Sequence, residues 1–147
     1  MRAVLKNAVL WWIGGLLYCL LEVLFRSRTH WSMMIVGGVC FLLCGMINEY
    51  YPWDMPMLEQ MTLSAIVITS IEFCSGIVLN LWCKLNVWDY SNIPMNLFGQ
   101  ICAPFAAAWF ILSGAAIVLD DYLRYWLFEE EKPQYQWRGK WILPKKN

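Results

Sequence analysis

Charge is scarce in this chain: 15% of its 147 residues are Asp, Glu, Lys or Arg, against about 25% in an ordinary soluble domain. The 11 basic and 11 acidic residues cancel. No basic stripe is present, which removes the electrostatic footprint of a nucleic-acid-binding surface. Histidine is rarer still. The single one, His30, lies in a short connecting stretch, so a His-based metal site is not expected. The six cysteines (Cys19, Cys40, Cys44, Cys74, Cys83 and Cys102) form no C-x-x-C pair. Cys40 and Cys44, four residues apart, suit packing on one helix face better than zinc or redox chemistry. No G-x-x-x-x-G-K-S/T run occurs, so the chain does not cradle nucleotide phosphates by that device. No cofactor and no metal is expected.

Polar faces are missing as well. A soluble helix bundle needs one on each helix at the 3.6-residue period, and "AVLWWIGGLLYCLL" has none. What the chain has instead is apolar residues, 60% of the total, gathered into blocks. Residues 8–25, 31–48, 63–83 and 97–119 are each close to the 20 or so apolar residues that cross a bilayer. The expected fold is all-α: an integral membrane bundle of four transmembrane helices over residues 1–122, with an amphipathic cytoplasmic tail over 123–147. The first block is too long for a signal-peptide core, and "EVLFRSRTHW" after it is not a cleavage site.

Four spans put both termini on one side. Arg2, Lys6, Arg124, Lys132, Arg138, Lys140, Lys145 and Lys146 fall there, while Arg26, Arg28 and Lys84 fall on the other. The middle loop on the terminal side, "EYYPWDMPMLEQ", has no lysine or arginine. Eight basic residues against three place both termini in the cytoplasm of a plasma-membrane protein. The tail "RYWLFEEEKPQYQWRGKWILPKKN" mixes charge with Trp126, Trp137 and Trp141. It reads as an anchor along the headgroups or as a docking segment for a cytoplasmic partner.

Small residues mark the expected helix contacts: Gly37, Gly38 and Gly45 in the second span, and Gly99, Ala103, Ala107 and Gly114 in the fourth. Pro104 is expected to kink the fourth. Two carboxylates interrupt the spans. An ionisable group at that depth costs about 3 kcal/mol on insertion scales, so it should face the interior. Glu22 has Arg26 four residues on to pair with. Glu72 has only the hydroxyls of Thr69 and Ser75 nearby in its own helix.

The stretch "NVWDYSNIPMNLFGQI", residues 86–101, concentrates polar groups at the mouth of an apolar block. Asp89, Asn92 and Pro94 suit turns; Trp88 and Tyr90 suit a membrane interface. Asn96 and Gln100, four apart, are expected on one helix face. With Asp89 they should gather at the outer mouth, where Glu22 and Glu72 face the same cavity, as a ligand-binding set or a structural clasp. The segment "WDYSNIPMNLFGQI" resembles the WDYS-x-x-P-x-N-x-x-G-x-I signature of the bacterial family of small multi-pass proteins called "putative ABC-transporter type IV". "GLLYCLLEVLFRS" is similar to that family's first span. Many members carry a proline-rich GP-x-x-P stretch where this chain has "MMIVGGVCF". The resemblance implies a bacterial inner-membrane protein in a transport context, with any ATPase on a separate chain.

Three functions fit these residues. The first is a permease-like or accessory transport component with a polar site at the outer mouth. The second is a membrane-embedded enzyme using Glu72 and Asp89 on a lipid or isoprenoid. The third is a scaffold without a ligand. Expected partners are membrane lipids, a second copy of the chain and a separate ATPase subunit, with no nucleic acid. Reporter domains fused to either terminus should read out in the cytoplasm, and one inserted at Asn92 outside. A C-terminal fusion active only outside overturns the charge argument.

Overall fold

The computed structural model describes residues 2–51, 53, 55–137 and 140–141, and of Arg2, Lys140 and Trp141 only the backbone. Four helices are long and apolar enough to cross a membrane: Ala3–Arg26, Trp31–Tyr50, Met57–Trp82 and Ala103–Phe128. The first is α1 (Arg2–Arg26). The second is α2 (Trp31–Gly45) continued, after a break at Met46, by α3 (Ile47–Tyr50). The third is α4 (Met57–Gly76) ending in a π-helical turn (Ile77–Trp82). The fourth is α5 (Ala103–Phe128). Two-residue strands β1 (Asn96–Leu97) and β2 (Ile101–Cys102) pair antiparallel ahead of α5, as do β3 (Gln136–Trp137) and β4 (Lys140–Trp141) beyond it. The basic residues Arg138, Lys145 and Lys146 of the expected tail lie outside the described residues.

Local chemistry sets the helix ends. The His30 imidazole accepts from the Ser32 amide at the start of α2, at 3.3 Å, and Pro56 precedes the first turn of α4. Pro104 does not kink the fourth span; it sits in the first turn of α5, where its missing N–H leaves no bond unmade. That span also begins later than expected, at Ala103 rather than residue 97. Met95, Phe98 and Gly99 all have positive φ, which no right-handed helix accommodates. Gly99 therefore belongs to a turn and not to a packing face. At the other end α5 runs on to Phe128, so residues 123–128 continue the helix, and Glu129 closes it in a left-handed conformation (φ 58°).

The bundle is uneven. α1 packs along α2, α4 along α5, and α2 touches both α4 and α5, while α1 and α5 scarcely meet. Close approach of α1 and α2 depends on two glycine pairs. The Phe41 ring lies over Gly14 and the Met34 backbone over Gly15; in return Tyr18 lies over Gly37 and Trp11 over Gly38. A Cβ at any of the four would collide, as the small-residue pattern anticipated for α2. Gly37→Leu should therefore cost about 1–3 kcal/mol by overpacking, read as a lower thermal midpoint in mild detergent. Gly114→Ala is the control. Its added Cβ would meet only the flexible end of Met61, and the midpoint should hold or rise.

Candidate functional site

The segment between α4 and α5 is a cap built on polar bonds. The π-helical turn carries Asn80, which is buried. Its Oδ1 accepts from the Val87 amide at 2.7 Å, and its Nδ2 donates to Gln100 Oε1 at 2.9 Å. Gln100 Nε2 donates to the Phe98 carbonyl, and the Gln100 carbonyl accepts from the Trp88 indole, both at 3.0 Å. Gly76 leaves room for this knot, since a Cβ there would run into Gln100 and Trp88. Asp89 is exposed and accepts from the Ser91 hydroxyl and amide. Those bonds hold its carboxyl below its ordinary value. Asn96, also exposed, donates to the Ile93 carbonyl at 2.8 Å and accepts from the Gly99 amide at 3.0 Å. On the far side of the cap, Arg26 donates to the Val87 carbonyl at 2.9 Å. Arg26 is in turn paired with Glu22 at 2.8 Å, and Thr29 donates to the other Glu22 oxygen at 2.7 Å.

One side chain of the cap reaches down into the bundle. The Tyr90 hydroxyl donates to Glu72 Oε1 at 2.8 Å, and Trp109 of α5 donates its indole N–H to Oε2 at 2.9 Å. Burial, and then the Glu72 carboxylate beside it, hold the Tyr90 phenol above its ordinary value, so it stays protonated as a donor. Glu72 lies ten residues before Trp82, the end of the span. At about 1.5 Å per residue that is roughly 15 Å inward, near the middle of a bilayer core about 30 Å thick. Its side chain is 7% exposed. Among the described residues no lysine, arginine or histidine is paired with it.

Glu72 sits at the wall of a crevice of about 280 Å³ bounded by α1, α2, α4 and α5. Tyr18, Phe41 and Trp109 supply aromatic surface, and the rest of the lining is almost wholly apolar. Leu20, Leu21, Leu112 and Leu119 line it and are also exposed on the outside of the bundle, so the crevice opens sideways where α1 and α5 stand apart. Aromatic rings continue from the cap into it. Tyr90 stacks on Phe105 at 4.6 Å, Phe105 neighbours Trp109 at 6.3 Å, and Trp109 neighbours Tyr18 at 6.0 Å.

The five residues expected to share one cavity are therefore divided. Asn96 and Gln100 do not share a helix face, because no helix forms there. Asp89 and Asn96 bond within their own loop, Gln100 is sealed beneath it, and Glu22 takes the pairing with Arg26 that the spacing suggests. Of the five only Glu72 lines the crevice. Trp88 and Tyr90 are buried rather than interfacial. Asn80, Trp109 and Tyr18 are additions. A lone asparagine in "SGIVLNLW" was the available signal for the first, and nothing singled out the two aromatics. A second polar group was also missed because it falls at the expected end of the fourth span. Asp120 and Asp121 are buried there with Arg124, which pairs with Asp120 at 2.5 Å and Glu49 at 3.4 Å. Asp121 accepts from Asn48 at 2.6 Å and Tyr135 at 2.8 Å. Lys6 joins Glu49 to Glu130, tying α1, α3 and the end of α5 together.

Four apolar helices, a polar cap on one end, an ion cluster on the other and a carboxylate between them define a multi-pass α-helical membrane protein. The chain belongs to the family described as "Putative ABC-transporter type IV", whose model matches residues 7–137. No curated protein and no solved structure matches it. Within the cap, Gln100→Ala strands the buried Asn80 amide and should cost about 1–3 kcal/mol. Asn96→Ala loses solvent-exposed bonds and should cost about 0.5–1 kcal/mol. Denaturant titration in detergent checks both. Equal losses would mean that Asn80 is not held by Gln100.

Proposed function

We propose that this chain is the permease-like or accessory membrane component of a transport assembly, and that the Glu72 crevice is where it holds its ligand. One observation carries the reading: a carboxylate at mid-depth, without a paired cation among the described residues, lines an apolar crevice that opens to the lipid side. An acid kept at that depth is expensive unless it has a task, and concave, mostly apolar sites with a few polar groups are how small ligands are bound. Glu22, Asp89, Asn96 and Gln100 then serve the site indirectly, by fixing the cap that delivers Tyr90 to Glu72. The terminal side, rich in lysine and arginine, is cytoplasmic in this reading. Four helices are few for a solute path, so a second copy or a partner chain completes it. Any ATPase is another subunit.

A scaffold reading has an observation of its own, the mutual satisfaction of the polar groups in the cap. Purification in mild detergent from the native membrane, followed by native mass spectrometry, separates the two. The transport reading expects a bound amphiphile on the wild type that is lost in Glu72→Gln, and an ATP-hydrolysing chain that co-elutes. The scaffold reading expects identical spectra for both proteins. Glu72→Gln should fold, because its amide still accepts from Trp109 and donates to the Tyr90 oxygen. Glu72→Lys should not, since it adds an unpaired charge costing a few kcal/mol at that depth. Equal misfolding of the two would mean that Glu72 is ionised and paired in the fold.

A further inference from the structure

We infer that the ligand of the Glu72 crevice is a lipophilic organic cation, a protonated or quaternary amine carried on an apolar body. The inference rests on the crevice being the ligand site, and it adds the chemistry of the occupant. Tyr90 and Trp109 each donate to a different Glu72 oxygen. Two neutral donors orient a carboxylate and leave lone pairs on both oxygens, but they do not balance its charge. When Glu72 is ionised, the strongest compensation in a medium of low dielectric is a cation placed beside it. An anion would be repelled, and a neutral molecule would leave the charge as it is. A hard metal ion needs several oxygen ligands, and among the described residues no group of three metal-binding side chains exists.

The walls agree with an organic cation. Tyr18, Phe41 and Trp109 present ring surface in the crevice, and aromatic faces attract alkylammonium groups, more strongly when water is excluded. Leu17, Leu20, Leu21 and Leu112 accept an apolar body rather than a hydrated one. The sideways opening selects in the same direction, because a molecule that arrives through lipid must already be lipid-soluble.

Phenyltrimethylammonium and its neutral isostere tert-butylbenzene have the same shape and differ in charge. Each is titrated calorimetrically into the full-length protein in an uncharged detergent. Wild type should bind the cation saturably and at least tenfold more tightly than the isostere. Glu72→Gln should lose at least tenfold for the cation and little for the isostere. Ala116→Phe, which fills the crevice and leaves Glu72 in place, should abolish binding of both, and it serves if Glu72→Gln fails to fold. Equal affinity for the two probes, both lost in Ala116→Phe, would overturn the cation while leaving the crevice as the ligand site. No binding of either probe to wild type, or binding unaffected by Ala116→Phe, would overturn both.

Discussion

The bond from the Tyr90 hydroxyl to Glu72 joins the two halves of this molecule. Glu72 is buried within the third span, where lipid offers no donor, so a partner must come from the chain itself. One donor, the Trp109 indole, is supplied by the neighbouring helix. The other comes from a loop outside the span, which has to be held in place with little freedom for its tyrosine to arrive at 2.8 Å. Much of the cap follows from that requirement. Asn80 and Gln100 fasten it to the end of α4, the Trp88 indole closes it on itself, and the Glu22–Arg26 pair fastens it to α1. The glycine pairs between α1 and α2 bring Tyr18 against the same region from the other side.

The opposite end is built on a different principle. There the polar groups are charged, and they compensate one another: Arg124 between Asp120 and Glu49, Lys6 between Glu49 and Glu130. Asp120 presses against Gly45, where a Cβ would collide with its carboxylate, next to the break between α2 and α3 at Met46. Tyr135 returns from beyond α5 to Asp121, and burial together with that acid holds its phenol above the ordinary value, as a donor. Removing one partner of such a cluster leaves a buried charge exposed to low dielectric, which is the expensive way to break an ion pair.

The bundle was legible in the sequence because its signal is bulk apolarity over the length of a bilayer, and that signal needs no knowledge of tertiary contacts. The site was legible only in its centre. Glu72 stood out because an acid in an apolar run is conspicuous. Its partners did not, because tyrosine and tryptophan in a membrane protein are ordinarily interfacial, and nothing local distinguishes Trp109 from the other nine tryptophans. The helical reading of Asn96 and Gln100 failed for a conformational reason. Spacing by four implies a shared face only if the backbone is helical, and Met95, Phe98 and Gly99 are all left-handed. Gly99 and Pro104 were visible, and together they point to a turn leading into a helix. Asp120 and Asp121 were passed over because hydropathy ends a span where charge begins, whereas α5 continues for two more turns with its acids turned inward.

The two ends of the molecule differ from its middle in how their acids are compensated. The cap satisfies its own polar groups, and the ion cluster pairs most of its charges. At the crevice both Glu72 oxygens have donors, but no cation is paired with the acid among the described residues and α1 and α5 stand apart. A bundle selected only for stability would close α1 onto α5 and replace the acid with leucine, since burying apolar surface is favourable and burying a carboxylate is not. Keeping both the gap and the acid is costly, and both features lie at the same depth and face the same direction. An acid with no cation beside it and a gap between helices are departures from an otherwise consistent fold, and among the described residues they coincide at Glu72.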